Sequence, residues 1–229
     1  MDKVQHFLNK RKFAYEVIVV DDGSTDGSIE FVERFAKENP DFRLFKNSHT
    51  GKAGAISAGM LKAKGQNVLF ADMDQATPIE EIDRLLPYLK DFDIVIGSRN
   101  SHREGAPWTR ALMGKGMIIL RKLVVGLPGI TDTQCGFKLF KKDVSDDLFS
   151  RLSKLHHGYK TISGSSVKAG FDVELLLLAQ KSGYKIKEVP VEWLYVESRR
   201  VSPIKDSLEG LEDLFSIRIN DLTGKYKNL

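Results

Sequence analysis

A mostly parallel, doubly wound α/β sheet is the fold this sequence predicts, on three observations. Two apolar runs, Val17-Ile18-Val19-Val20 and Val68-Leu69-Phe70-Ala71, are continuous rather than alternating, as in strands covered on both faces. Strand and helix patterns alternate from Tyr15 to Arg99. Charged groups recur where the strands end: Asp21 and Asp22, Asp72 and Asp74, and Arg99. In an open α/β sheet such ends line one edge, and ligands bind there.

The elements follow in order. Residues 2–12 carry Val4, Phe7 and Leu8 at helical spacing and read as the tail of a helix. Tyr15–Val20 is a β-branched strand running into Asp21-Asp22-Gly23-Ser24-Thr25-Asp26-Gly27. Gly23 permits a tight turn, and Ser24, Thr25 or Asp26 can cap a helix carrying Ile29, Phe31, Val32 and Phe35. Asn39-Pro40 stops that helix before a short strand, Phe42–Phe45. Thr50-Gly51-Lys52-Ala53-Gly54-Ala55 then opens a small-residue helix through Ala63. Glycines beside a lysine at a helix start let backbone N–H groups approach an anion. The spacing is not that of a Walker loop, and close helix packing explains the glycines equally well.

Val68–Ala71 leads into Asp72-Met73-Asp74, and Pro78 opens a helical pattern through Ile79, Ile82, Leu85, Leu86 and Leu89. Asp93–Gly97 is a strand ending in Gly97-Ser98-Arg99. Residues 107–130 read as an apolar helix with a basic edge of Arg110, Lys115, Arg121 and Lys122, suited either to a lipid interface or to packing on the sheet. Asp132–Phe140 is a polar turn entering a strand, and residues 153–170 form a loop in which His156 and His157 are solvated. Phe171-Asp172-Val173-Glu174 opens a helix, Lys185–Val189 and Val191–Val196 are strands split by Pro190, and Pro203–Leu222 is an amphipathic helix. Its apolar face carries Ile204, Leu208, Leu211, Leu214, Phe215 and Ile219.

Composition narrows the classes. The net charge of +4 does not point to a nucleic-acid partner, whereas the basic residues after residue 99 suit a phosphorylated or membrane-surface partner. Cys135 is the single cysteine, so no internal disulfide forms and a reducing compartment is expected. No signal peptide is visible, and no apolar run approaches the roughly 20 residues that span a bilayer.

The chemistry centres on Asp72 and Asp74. Two close carboxylates repel, and a hard divalent cation relieves the repulsion while leaving positions for phosphate oxygens. A solvated loop with two helix-capping acids is the competing reading of a bare Asp-x-Asp.

Together these stretches resemble family 2 glycosyltransferases of the GT-A fold, most closely the dolichyl-phosphate or polyprenyl-phosphate glucosyltransferases and mannosyltransferases. The segments that carry the resemblance are Val19–Asp26, Asn47 with Gly51-Lys52 and Gly54, Asp72-Met73-Asp74, Gly97-Ser98-Arg99, Asp132–Lys138 and Phe171–Leu175. They span roughly residues 13–222, and Asp132–Phe140 favours the glucosyl branch. The resemblance implies one domain over 1–229, with a nucleotide-sugar half at 13–100, an acceptor half at 101–200 and a terminal amphipathic helix at 201–229.

It further implies metal-dependent, inverting transfer of a hexose, glucose before mannose, from a donor of the UDP-glucose or GDP-mannose class to a polyprenyl phosphate. The setting would be the cytoplasmic face of a membrane, with peripheral attachment, in cell-envelope or protein glycosylation. Asp72 and Asp74 would hold Mg²⁺ or Mn²⁺ on the donor diphosphate. Asp22, with Asp21, would contact base or ribose, and Lys52 the nucleotide. Arg99, Arg110 and Arg199 would bind the acceptor phosphate, Arg99 also serving catalysis. Asp132 would be catalytic or contact a sugar hydroxyl. A nucleotidyltransferase-like or nucleotide-sugar-binding domain, and an inactive membrane-surface module, are the alternatives.

The family begins with a strand ending in Pro-x-Tyr-Asn-Glu-Glu, which has no counterpart here. That strand would lie between Val17–Val20 and Val68–Ala71, so an N-terminally truncated sheet is expected, with a vacancy or a non-family pairing between them.

Overall fold

The computed structural model describes residues 1–99, 116, 118–161, 170–194 and 203–227. In chain order its elements are α1 (Asp2–Asn9), β1 (Val17–Asp21), α2 (Ser28–Glu38), β2 (Phe42–Lys46), α3 (Gly51–Lys62), β3 (Asn67–Ala71), α4 (Ile82–Leu85), β4 (Ile94–Arg99), β5 (Phe137–Lys141), α5 (Lys142–Leu155), α6 (Gly170–Lys181), β6 (Ile186–Val191) and α7 (Pro203–Leu222). A further helical stretch covers 118–124. The chain forms two compact units, Met1–Val68 with Lys141–Val167 and Leu69–Phe140 with Lys168–Leu229.

In the first unit β1 and β2 run parallel, Val17 facing Phe42 and Asp21 facing Lys46. Helix α2 buries Val32 and sets Phe35 edge-on to Phe42, ring centroids 5.0 Å apart. Asp26 accepts the Ser28 backbone N–H at the start of that helix. Helix α3 packs against β1 because Gly59 leaves room: a Cβ there would lie 2.8 Å from Val20 Cγ2. Helix α5 lies along α3 and buries Val144, Leu148, Phe149, Leu152 and Leu155. That stripe has helical spacing, and reading 153–170 as loop overlooked the helix that ends inside it. Residues 162–169 of that loop lie outside the described residues.

The second unit is built on a sheet of order β3-β5-β4-β6, β3 and β5 each crossing the boundary between the units. Strands β4 and β6 are parallel, and β4 and β5 antiparallel. Bonds from Asp72 N to Gly136 O and from Lys142 N to Gln66 O make β3 and β5 antiparallel as well. The expected mostly parallel sheet is therefore mixed. An apolar run such as Phe137–Phe140 signals burial but carries no strand direction.

Other expectations change too. The pattern after Pro78 is not one helix: two 3₁₀ turns, Ile79–Glu81 and Leu86–Lys90, flank the single turn of α4. Pro190 does not split β6. It pairs with Ser98 in a strand at the sheet edge, where the missing N–H leaves no ladder position empty. Residues 192–194 are not strand, and 195–196 lie outside the described residues.

Among the described residues β1 pairs only with β2 and β3 only with β5, so no ladder joins Val17–Val20 to Val68–Ala71. Neither strand is covered on both faces. Val17–Val20 are half-buried, and β3 buries Val68 and Phe70 while Ala71 is exposed. Ile94, Val95 and Ile96 of β4, with Phe137, Leu139 and Phe140 of β5, are the buried centre of the second unit. Helix α6, apolar on nearly every side, is buried from Gly170 to Ala179. Helix α7 buries Leu214 and Ile217 but leaves Leu208, Phe215 and Ile219 exposed, so its expected apolar face is divided. The side chain of Ile204 lies outside the described residues.

Candidate active site

In the first unit, β1 ends in two carboxylates that the fold itself occupies. Asp21 is buried, and its Oδ2 accepts the backbone N–H groups of Gly23 at 3.0 Å and Ser24 at 3.2 Å. Burial raises its pKa, but the Ser24 hydroxyl together with these backbone hydrogen bonds outweighs burial and holds the carboxyl below its ordinary value. Asp22 Oδ1 accepts Thr50 N at 2.9 Å and Asn47 Nδ2 at 2.6 Å, and Oδ2 accepts Gly51 N at 2.7 Å. His49 Nδ1 sits against the Asp22 carbonyl oxygen.

The amides at the start of α3, read as an anion cradle, thus hold the Asp22 carboxylate. It acts as the cap that satisfies the open N–H groups of the first turn. Asp21 and Asp22 thus serve as turn and cap residues within the fold. Lys52 is half-buried in the first turn of α3. Gly54 faces Thr50 and Tyr159, where a Cβ would come within 2.0 Å of Thr50 Oγ1. Close packing is what that glycine provides.

In the second unit, Asp72 and Asp74 leave the carboxyl end of β3 on a loop with Met73 exposed. Asp74 Oδ1 accepts Ala76 N at 3.0 Å, and Gln75 adopts a left-handed φ of 54° between them. Asp72 N donates to Gly136 O at 3.0 Å, and the Asp72 carboxylate lies directly over the Gly136 Cα. A Cβ on Gly136 would stand 2.0 Å from Asp72 Oδ2, so this glycine is a seat for the carboxylate.

Among the described residues no three His, Cys, Asp or Glu side chains converge as a metal site. The donor set nevertheless fits Mg²⁺ or Mn²⁺. Two hard carboxylates flank the loop, and such cations keep their other positions for phosphate oxygens and water.

Arg99, at the end of β4, forms a fork with Asp132: Nε to Oδ2 at 2.7 Å, Nη2 to Oδ1 at 2.8 Å, and its backbone N to Oδ2 at 3.0 Å. Burial raises the Asp132 carboxyl pKa, but the Arg99 hydrogen bonds and charge outweigh it and hold the carboxyl low. An anion clamped in this way is a poor base. Arg99 is likewise committed to Asp132, with the Trp193 ring centroid 5.8 Å from its guanidinium carbon. Arg110 and Arg199 lie outside the described residues, as do Trp108 and most of the apolar segment before residue 118.

Several residues that hold this region escaped notice in the sequence. Glu188 of β6 accepts Thr131 N, Thr131 Oγ1 and Asp132 N at 2.7, 2.7 and 2.8 Å. Arg121, expected on an exposed basic edge, is buried and donates to Thr133 Oγ1, Ile130 O and Thr131 O. Both fix the loop that carries Asp132. Lys138 is fully buried in β5. A lysine amid Phe137, Leu139 and Phe140 was the available signal for it.

A sequence model described as Glycosyl transferase family 2 matches residues 3–149. The dolichyl-phosphate beta-glucosyltransferase of Dictyostelium discoideum is 32% identical over 99% of this chain and 71% of its own length. The human protein of that name is 33% identical over 99% of this chain and 72% of its own. One from Trichomonas vaginalis is 36% identical over 84% of this chain, which spans only 58% of that relative. Among solved structures, glucosyl-3-phosphoglycerate synthase from Mycobacterium tuberculosis, in complex with Mn²⁺, uridine diphosphate and phosphoglyceric acid, aligns with a TM-score of 0.56. That alignment covers 89% of this chain and 67% of the synthase at 19% identity, a likeness of fold.

Proposed function

The chain belongs to glycosyl transferase family 2, and from that premise we propose that it moves a hexose, glucose before mannose, from a nucleotide diphosphate sugar to a polyprenyl or dolichyl phosphate. The observation that carries this reading is the Asp72-Met73-Asp74 loop at the end of β3, with Asp72 seated on Gly136. The names of the relatives support glucose and a dolichyl phosphate.

An oxygen of the acceptor phosphate bonds to the anomeric carbon from the face opposite the diphosphate. The bond from that carbon to the diphosphate oxygen breaks, its electron pair leaves with the nucleoside diphosphate, and the configuration inverts. A phosphate acceptor is ionised at neutral pH, so positioning and charge stabilisation suffice without a base. A clamped Asp132 is compatible with such chemistry. Asp72 and Asp74 would hold the divalent cation, which when bound offsets the charge that builds on the leaving diphosphate. Arg99 and Asp132 hold the 130–134 loop in place, with Glu188 and Arg121 supporting it from β6 and the 118–124 helix.

Peripheral attachment to the cytoplasmic face of a membrane belongs to the same proposal. No helix of the described residues is long and apolar enough to cross a membrane. Helix α7 exposes Leu208, Phe215, Ile219 and Leu222, a spacing that puts them along one face, and the 118–124 helix exposes Ile119 and Leu123.

The test incubates the chain with UDP-glucose or GDP-mannose, Mn²⁺ or Mg²⁺, and a short polyprenyl phosphate. Metal-dependent formation of the glycosyl phosphate lipid is expected, faster from UDP-glucose. Absence of transfer from every donor, with the metal present, would overturn the reading.

A further inference from the structure

Strand β5 reads Phe-Lys-Leu-Phe-Lys, and its first lysine, Lys138, has no exposed surface. Burying an ammonium group is costly unless its donors are matched. Here they are matched. Nζ donates to Asp172 Oδ1 at 2.5 Å and to the Cys135 carbonyl at 2.7 Å, and lies 5.0 Å from the Phe70 ring centroid. Asp172 is itself buried in the first turn of α6. A buried ion pair is weak support for stability, since apolar residues of similar volume commonly do as well. The arrangement of its neighbours suggests a different purpose.

The Cys135 carbonyl belongs to the peptide that joins Cys135 to Gly136. The Gly136 carbonyl accepts Asp72 N at 3.0 Å, and the Gly136 Cα carries the Asp72 carboxylate. Phe70, over which Nζ sits, is two residues before Asp72 on β3. Lys138 therefore touches both sides of the junction, the seat and the strand that delivers the carboxylate to it.

We infer that Lys138, anchored by Asp172, is a positioning residue that fixes the Cys135-Gly136 turn beneath Asp72 and so aims the Asp72 carboxylate at the cation and diphosphate of the donor. It touches neither and acts through Gly136 and Asp72. The inference rests on the proposed function, because it takes Asp72 as a cation ligand. Groups behind a metal ligand commonly change metal affinity about 10–100-fold when removed.

The experiment measures Mn²⁺ binding in the presence of uridine diphosphate, by the electron paramagnetic resonance signal of free Mn²⁺, together with thermal melting. The main variant is the double Lys138→Met/Asp172→Leu, which removes both charges at similar volume. A Tm near that of the parent with Mn²⁺ affinity lowered about 10-fold or more, and metal-free uridine diphosphate affinity unchanged, is the expected result. Parental Mn²⁺ affinity in the folded variant would overturn the inference. So would an equal loss of metal-free nucleotide binding, which marks a general structural role.

Should the double variant fail to fold, Asp172→Glu decides, since it keeps the charge but displaces Nζ from the Cys135 carbonyl. A loss of Mn²⁺ affinity there supports the inference and parental affinity overturns it. Asp72→Asn separates the two readings. If it binds Mn²⁺ as the parent does, the metal role of Asp72 fails and the inference fails with it. If Asp72→Asn loses Mn²⁺ while the Lys138 variant does not, only the Lys138 inference fails.

Discussion

Substituting Gly136 by alanine separates the Asp72 seat from the stability of the fold. Gly136 is not among the glycines with positive φ, so alanine meets no backbone strain. The three atoms nearest its Cβ would all belong to the Asp72 carboxylate: Oδ2 at 2.0 Å, Cγ at 2.3 Å and Oδ1 at 2.7 Å. The side chain must withdraw until these distances reach about 3.5 Å, a displacement of more than ~1 Å for Oδ2. A displacement of that size at a positioned group costs about 100-fold in rate, or ~2.7 kcal/mol of transition-state stabilisation.

Folding responds differently. A glycine-to-alanine change in a compatible backbone gains about 0.4–1 kcal/mol through the unfolded chain. Rotating the short, half-buried Asp72 carboxylate aside offsets much of that gain, so Tm should stay within about 4 °C of the parent. The assay pairs kcat/KM for hexose transfer with a thermal melt, for Gly136→Ala, Asp72→Ala and the double variant. Because both single changes remove the same group, the double variant should be no slower than Asp72→Ala, a large coupling between neighbours. Parental kcat/KM in Gly136→Ala, or losses that multiply in the double variant, would refute the seat.

Three further outcomes follow from the geometry. Asp22→Ala removes the acceptor for Thr50 N, Gly51 N and Asn47 Nδ2, so it should cost about 1–2 kcal/mol of stability; a chemical denaturation curve that does not move, with nucleotide affinity lost, would refute the cap and leave Asp22 with a donor role alone. Arg99→Met breaks a part-buried, charge-assisted pair and should destabilise by about 1–3 kcal/mol. In the parent the Asp132 carboxyl lies below its unfolded value of about 3.9, so its stabilisation is complete above that pH and disappears only as pH falls through the lower folded value. In Arg99→Met the guanidinium hydrogen bonds and charge are lost while the backbone N–H of residue 99 and the Lys138 charge remain, so burial counts for more, the carboxyl rises, and urea midpoints should begin to fall at a higher pH than in the parent. Replacing Phe215 and Ile219 by serine should reduce co-sedimentation with liposomes; α7 carries Glu209, Glu212, Asp213 and Asp221 against Arg218 among its described side chains, so apolar area rather than basic attraction should drive that binding and added salt should change it little.

Local patterns in the sequence were enough to locate most elements and the Asp72–Asp74 loop. Strand runs, Pro78, the Gly23 turn and the spacing of α7 each depend on residues within a few positions of one another, and chain stiffness and side-chain periodicity act over that range. The order of the motifs was enough to indicate the family. The partners of the site residues were not legible, because they meet across 28 or more positions: Asp22 with Thr50, Arg99 with Asp132, Lys138 with Asp172. A sequence shows that Asp22 or Arg121 is charged, and charge alone predicts exposure. Only the folded chain brings a helix start to Asp22 and three acceptors to Arg121, making one a helix cap and the other a buried clamp. The direction of β5 was decided in the same way, since burial sets which side chains face inward while the path of the chain sets the sense in which the strand arrives.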